Sequence, residues 1–387
     1  MSDTATVSGR GAQRWQRGHP WIFRSDVARR PRTPAGVVRV RDDRGHWLGV
    51  ALWSPASEIS LRLVDRNPDA ALNEAWWGAR LSAAIERRRS IREATAYRLL
   101  HAEGDGLPSL VCDRYDRWLV VQLLSAGLES FREVIVAQLV RLTGAEGILA
   151  RNDVPLRARE ALARETVLLH GDVPREVTVE EHGIRYVAAP WTGQKTGAFL
   201  DQRENRRRLG LLARGRALDC FSYHGSFALH LARRAERVIA IDSSADAVAR
   251  ARDNATLNGL TNIEVVEANA FDVLRDADRT GERFDTIVLD PPAFAKTRDT
   301  VENALRGYHE INLRAMRLLA PGGILYTASC SYHLGKALFL EMVEHAAQDS
   351  GRQMQLLELL NQPADHPEIL TIPETGYLKA AVLEARD

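Results

Sequence analysis

Between Arg216 and Ser331 the chain alternates short apolar runs with longer segments whose apolar residues recur at helical spacing. The runs are Ala217–Phe221, Arg237–Asp242, Ile263–Ala268, Phe284–Asp290 and Gly323–Cys330. The intervening segments Ser226–Arg234, Ser244–Asn258, Phe271–Asp278 and Val301–Leu319 predict helices. Such alternation predicts an α/β domain, a parallel sheet with helices on both faces. Ligands bind such sheets where the loops leave the carboxyl ends of the strands. Each predicted strand ends on or beside a polar or reactive residue: Asp219, Asp242, Asn269, Asp290 and Cys330. One such residue means little, since strands often end on Asp or Asn; five in register predict a built site.

Other patterns precede and follow this core. Residues 9–66 read as a small β-rich unit, with strands at Gly36–Arg41, Trp47–Trp53 and Ile59–Val64 separated by Asp43-Arg-Gly45 and Ser54-Pro55. Its Trp15, Trp21, Trp47 and Trp53 suit either stacking on bases or burial in a small barrel, which is the commoner fate. Ala70–Arg98 predicts one long helix, and residues 99–188 an α+β unit with a strand at Trp118–Leu124 and a helix at Ser130–Leu142. Glu181-His-Gly183 predicts a turn joining Glu176–Val179 to Ile184–Ala188 as a hairpin. The glycines and Lys195 of Gly193–Gly197 are not spaced as a Walker phosphate loop, so this stretch reads as a loop entering a helix at Gln202–Leu212. Lys336–Ala347 predicts a helix, and Met354–Leu359 and Tyr377–Leu383 closing strands.

Length and charge narrow the function. A chain of 387 residues suggests two or three domains, and a net charge of +1 by itself argues against a nucleic-acid partner. The first forty residues are nevertheless rich in arginine: Arg10, Arg14, Arg17, Arg24, Arg29, Arg30, Arg32 and Arg39 against Asp3 and Asp26. That bias fits a phosphate-backbone footprint and equally a solvated basic face. Cys112, Cys220 and Cys330 form no CxxC pair or zinc pattern, which fits a reducing compartment. No secretory signal or membrane-length apolar segment is recognised, so the expected location is the cytoplasm.

The turn Asp219-Cys-Phe-Ser-Tyr-His-Gly225 carries one glycine, too few for a dinucleotide pyrophosphate. S-adenosylmethionine, which has no phosphate, suits it: its ammonium fits Asp219, and its carboxylate fits backbone N–H groups from Phe221 and Ser222 to Gly225. Asp242 is placed to take the ribose hydroxyls, or simply to cap the next helix. Asn269, with Ala270, is placed for the adenine edge. Asp290-Pro-Pro-Ala-Phe294 is stiffened by Pro291 and Pro292 and suits the edge of a flat nitrogenous ring, with Phe294 and Lys195 as further substrate contacts. A lone cysteine is by default a small buried hydrophobe, yet Cys330 lies at the reacting end of the sheet. A thiolate adding to carbon 6 of a pyrimidine makes carbon 5 nucleophilic, which gives Cys330 and Asp290 a joint purpose.

At these residues the chain resembles the bacterial large-subunit ribosomal RNA cytosine-5 methyltransferases that carry an N-terminal PUA domain. The resemblance rests on His19-Pro-Trp-Ile-Phe23, Ser54-Pro-Ala-Ser57, Glu103-Gly-Asp-Gly-Leu-Pro108, Leu123–Gly127 and Glu181-His-Gly183. It continues through Lys195-Thr-Gly197, Leu200-Asp-Gln-Arg203, Cys220-Phe-Ser-Tyr223, Asp290-Pro-Pro292, Gly307-Tyr308, Ser329-Cys-Ser331 and Asp365-His-Pro367. It implies a class I, Rossmann-like methyltransferase sheet at 189–387, a PUA-like RNA-binding β-barrel at 5–68 and a central α+β domain at 69–188. It further implies S-adenosylmethionine as donor, Cys330 as nucleophile, Gln202 near the donor and large-subunit ribosomal RNA as partner. His224 stands where a small residue is usual and Asn269 where an acid is common, and both bear on donor affinity. Tyr332-His333 replaces small residues beside the target pocket. Two competing readings remain: an exocyclic-amine or guanine RNA methyltransferase that does not use Cys330, and a non-catalytic RNA-binding protein on the same fold.

Overall fold

A computed structural model describes residues 3–294 and 301–387. The chain divides into two compact units: Met1–Val179 with Ala188–Leu200 and Ala364–Thr375, and Glu180–Val187 with Asp201–Pro363 and Gly376–Asp387.

The first unit holds two sheets. In the six-stranded one the order is Trp21–Phe23, Ile59–Asp65, Trp47–Trp53, Gly36–Asp42, Thr4–Val7 and Val27–Arg29. The alternating strands turn Val38, Val40, Ala51, Trp53 and Leu61 onto a core shared with Trp15 of the helix Gly9–Gln16. Trp15 and Trp53 are core residues, whereas Trp47 is exposed beneath the guanidinium of Arg39. The five-stranded sheet runs Thr166–Gly171, Gly147–Arg151, Trp118–Leu123, Leu110–Tyr115 and Ala96–His101.

The long helix expected over 70–98 is shorter, Glu74–Glu86, and its last stretch is strand. The Asn73 side chain caps its start by accepting the Trp76 N–H. At its end the buried Arg88 leaves the helical path to make two hydrogen bonds to Asp105, and Ala96–His101 then pairs with Leu110–Tyr115. Cross-strand pairing outweighs the helical spacing of the apolar residues in this stretch. Val177–Glu181 and Ile184–Ala188 form the expected hairpin. His182 and Gly183 both take the left-handed conformation that a two-residue hairpin turn requires, with φ of 49° and 76°.

The second unit is built on a seven-stranded sheet. In chain order its strands are Arg216–Cys220, Arg237–Asp242, Ile263–Glu267, Phe284–Leu289, Leu319–Ser329, Met354–Asn361 and Lys379–Ala385. Across the sheet they lie third, second, first, fourth, fifth, seventh, sixth. The first five are parallel, and the seventh runs antiparallel to the fifth. Both faces are covered, so the strands read as nearly continuous apolar runs. Helices Arg203–Leu212, Ser226–Leu231 and Ala245–Leu257 pack over Ala217, Val238, Ala240 and Val288. Helices Ala270–Thr280, Val301–Leu318 and Lys336–Ser350 pack over Leu218, Ile241, Ile287 and Leu289. Every strand-end residue singled out in the sequence therefore emerges at one edge of one sheet.

Candidate active site

The turn after the first strand is held by its own backbone. Phe221, Tyr223 and Gly225 have φ of 65°, 48° and 77°. Two of these are side-chain-bearing residues in a region that costs each about 1–2 kcal/mol. Four hydrogen bonds offset that strain. Ser222 N–H donates to the Ile241 carbonyl, Gly225 N–H to the Ser222 carbonyl, Tyr223 N–H to Asp242 Oδ2 and Ala228 N–H to Asp219 Oδ2. Gly225 is also packed closely, since a Cβ there would lie 3.1 Å from that of Ala251.

Two polar atoms in this turn are buried without partners: Asp219 Oδ1 and Ser222 Oγ. Asp219 is 1% exposed. Burial, reinforced by the charges of Asp290 and Asp242, drives its carboxyl well above the usual range. A buried carboxylate oxygen with nothing to accept is a socket for a cation, and the ammonium expected of S-adenosylmethionine fits it. The N–H groups of Ser222, Tyr223 and Gly225 are already engaged, while the Ser222 hydroxyl is a buried group able to donate there. The ring of His224 stacks on Tyr223 at 3.6 Å between centroids, and burial lowers its pKa to about 4, so it is neutral at neutral pH.

Asp242 does not cap the following helix. Ser244 does, accepting the Ala247 N–H, while Asp242 Oδ1 accepts the Ser244 N–H. Asp242 thus ties two loops together with its two oxygens. Asn269, by contrast, is a helix cap: its side-chain oxygen accepts the Phe271 N–H, with Ala270 buried as the first helical residue. The amide nitrogen of Asn269 takes no part in that capping.

Asp290 is held from beside the sheet. Gln202 Nε2 donates to Asp290 Oδ1 at 2.8 Å. The Gln202 carbonyl in turn accepts the hydroxyl of buried Tyr326 at 2.8 Å and the amide of Asn205 at 2.7 Å. These partners fix which way the Gln202 amide points and so aim its N–H groups at the acid. Beyond Asp290, Pro291 is buried and Pro292 exposed. Phe294 joins an aromatic cluster, with centroids 6.4 Å from Phe221, 5.9 Å from Phe271 and 4.6 Å from Tyr308. Gly307 leaves room for it, because a Cβ there would meet the Phe294 ring at 3.4 Å.

The three cysteines differ in setting. Cys112 and Cys220 are fully buried, and burial pushes both thiols far up. Cys330 is half-buried at the end of the fifth strand. Leu289 pairs with Thr327, so Asp290 is level with Ala328 on the adjacent strand. Asp290 and Cys330 therefore leave the carboxyl ends of adjacent parallel strands, one residue past each. The backbone around it is braced by Tyr308, whose hydroxyl lies 3.0 Å from both Ser329 Oγ and Ser331 Oγ. Sequence reading overlooked Lys379. Its signal was a lone cation in the otherwise apolar run Tyr377–Leu383, and its ammonium, at the start of the strand Lys379–Ala385, donates to the Ser331 carbonyl at 2.6 Å.

Of the remaining candidate, Lys195 lies in the first unit, where its ammonium sits over the Phe199 ring at 4.7 Å. There Thr196 donates to Asp113, which also makes two hydrogen bonds with Arg98, so the Lys195-Thr-Gly197 loop is tied to that unit. The loop Asp365-His-Pro367 belongs to the same unit, with Asp365 accepting the Arg98 N–H. On and just after the helix Gly9–Gln16, Arg10, Arg14, Arg17 and His19 line a cleft of about 430 Å³.

Comparison with known proteins adds three findings. Residues 97–383 match the family model described as S-adenosylmethionine-dependent methyltransferase, and residues 5–66 match the PUA-like domain. The chain is 41% identical over 380 residues to a protein of Aeromonas salmonicida named ribosomal RNA large subunit methyltransferase I, covering 96% of each. A protein of the same name from Tolumonas auensis is 41% identical over 396 residues and matches along the whole of both chains. Among solved structures, a candidate SAM-dependent methyltransferase of Streptococcus mutans superposes with a TM-score of 0.83 at 22% identity, covering 98% of this chain and 99% of its own.

Proposed function

The chain belongs to the S-adenosylmethionine-dependent methyltransferases, and from that premise we propose that its acceptor is carbon 5 of a cytosine in large-subunit ribosomal RNA. The name of the relatives supports the RNA class. The carbon-5 reading is carried by one observation: a half-buried thiol and a braced carboxylate leave neighbouring parallel strands at the same edge.

Bound at this edge, the donor supplies a sulfonium methyl group. Asp219 would hold its ammonium, Ser222 its carboxylate, Asp242 its ribose and Asn269 with Ala270 its adenine, with Phe221 and Gly225 shaping the turn. Cys330, as thiolate, adds to carbon 6 of the cytosine, and the double-bond electrons move toward ring nitrogen 3. Asp290, oriented by Gln202, hydrogen-bonds at that nitrogen and stabilises the adduct. Carbon 5 then takes the methyl, the pair of the broken bond remaining on the donor sulfur. Loss of the carbon-5 proton to a base re-forms the ring double bond and expels the thiolate. Pro291, Pro292 and Phe294 wall the base pocket, and Lys195 is a further RNA contact.

We further propose a PUA-like module at 5–68 that grips RNA, a central domain at 69–188 and a catalytic domain at 189–387, within which Ala188–Leu200 and Ala364–Thr375 pack with the first compact unit. The arginine-lined cleft of the first unit supports the gripping role. Among the described residues no helix is long and apolar enough to cross a membrane, and the proposed location is the cytoplasm.

The test is methyl transfer from labelled donor to large-subunit RNA, followed by nucleoside mass spectrometry. The expected product is 5-methylcytosine, lost entirely in Cys330→Ala while donor binding persists. Undiminished transfer by Cys330→Ala would point to amine chemistry instead and end the thiolate reading.

A further inference from the structure

Lys379 is a cation built into the turn that carries Cys330. It lies on the seventh strand directly opposite Ser329 and is 7% exposed. Its ammonium donates to two carbonyls, that of Ser331 at 2.6 Å and that of Tyr377 at 3.0 Å. Neither acceptor is a carboxylate, and a buried ammonium without an anion is expensive. An apolar residue in its place would pack this strand at lower cost, since its neighbours Leu378, Ala380, Ala381 and Val382 are all core residues. An ammonium has three N–H donors, and the two carbonyls account for two of them.

We propose that Lys379 is a positioning residue for methyl transfer, its ammonium clamped to the Ser331 carbonyl so that its charge holds Cys330 as the thiolate. The inference rests on the reading of Cys330 as nucleophile and adds the group that readies it. Burial lowers the lysine to about 8, while the charge of Cys330 pulls the other way, so the two groups feel each other. At neutral pH the lysine still carries its proton. Among the described residues, the other titratable groups around this turn are Tyr308, braced against Ser329 and Ser331, Tyr377, whose hydroxyl donates to Asp201, Tyr332 and His333 next in the chain, and Asp290 on the neighbouring strand. The two tyrosines that brace the turn carry no positive charge, and a carboxylate at Asp290 opposes a thiolate. Above about pH 8 the ammonium is lost and with it the support for the thiolate.

Alkylation by iodoacetamide reads the thiolate directly, without RNA or donor. In the full-length protein, modification of the Cys330 peptide is followed by mass spectrometry across pH. The native midpoint is expected below the value of about 8.5 for an ordinary thiol; a midpoint at or above it overturns the proposal without recourse to any variant. Lys379→Met is expected to slow Cys330 alkylation at pH 7 by about tenfold, one unit of midpoint, and Lys379→Arg to restore most of the rate. Unchanged alkylation in Lys379→Met, with its melting and donor binding intact, overturns the proposal. The two readings fail separately. If Cys330→Ala still methylates RNA, the nucleophile reading falls while the shifted thiol midpoint stands. If the midpoint is ordinary but Cys330→Ala is dead, only the role of Lys379 falls.

Discussion

Two carboxylates of the second unit, Glu181 and Asp219, are equally buried, each 1% exposed, yet their surroundings are opposites. Glu181 makes two hydrogen bonds with Arg206, at 2.6 and 2.7 Å, and is met by His230 at 3.0 Å and the Tyr186 hydroxyl at 3.3 Å. Burial opposes its charge, but Arg206 and His230 prevail and hold the carboxyl far below its usual range. Asp219 has one N–H donor on one oxygen, none on the other, and two acids nearby, and its carboxyl is driven up. A buried charge whose partners are all supplied by the fold is a structural tie. One left incomplete at the edge of a sheet waits for a ligand to complete it. The contrast separates scaffold from site without reference to any relative.

The largest expected effect falls on the completed cluster. Glu181→Gln leaves Arg206 buried without its counter-charge and should cost about 3–5 kcal/mol, seen as a lower denaturation midpoint with an unchanged slope. Asp219→Asn should instead weaken donor binding by about 2 kcal/mol, the loss of a charge-assisted hydrogen bond, or roughly 30-fold by calorimetry.

The two acids also respond to pH with opposite sign. The raised carboxyl of Asp219 gives stability that is whole below about 3.9 and is lost as pH climbs through its folded value. The depressed carboxyl of Glu181 gives stability present above about 4.3 that goes only in strong acid. Melting curves across pH should therefore flatten in Asp219→Asn on the side above the ordinary carboxylate range, and in Glu181→Gln on the acid side. Gln202→Leu removes the acceptor of the Tyr326 hydroxyl, which then keeps only the Asn205 amide at 3.2 Å, and takes one donor from Asp290; a stability loss of about 1–2 kcal/mol is expected, with a larger fall in methyl-transfer rate than in donor affinity. Arg208→Ala, which breaks a partly exposed pair with Glu358, should cost less than about 1 kcal/mol and leave transfer unchanged.

What the sequence revealed follows from the range of the interactions involved. The strands of the catalytic sheet were legible because buried parallel strands are apolar runs, and their polar last residues stand out against them. The helix after Ala70 was overextended because apolar spacing continues past Glu86, whereas the break depends on Arg88 reaching Asp105. The partners of the site were hidden for a similar reason. Gln202 meets Tyr326 across 124 positions and Asp290 across 88, and no local pattern announces such pairs. Glu181 was visible only as a turn residue, since its partners Arg206 and His230 come from two different helices. Lys379 had a local signal, a cation in an apolar strand, whose meaning depends on what lies across the sheet.

The most direct test of the contrast is a pair of measurements on Asp219→Asn: donor binding by calorimetry and melting temperature without donor, both near pH 7. An incomplete, ligand-seeking carboxylate should give weaker binding together with a higher melting temperature, by on the order of 1 kcal/mol of stability. A variant that binds the donor as tightly as the native protein, or that melts lower without it, would show that Asp219 belongs to the scaffold.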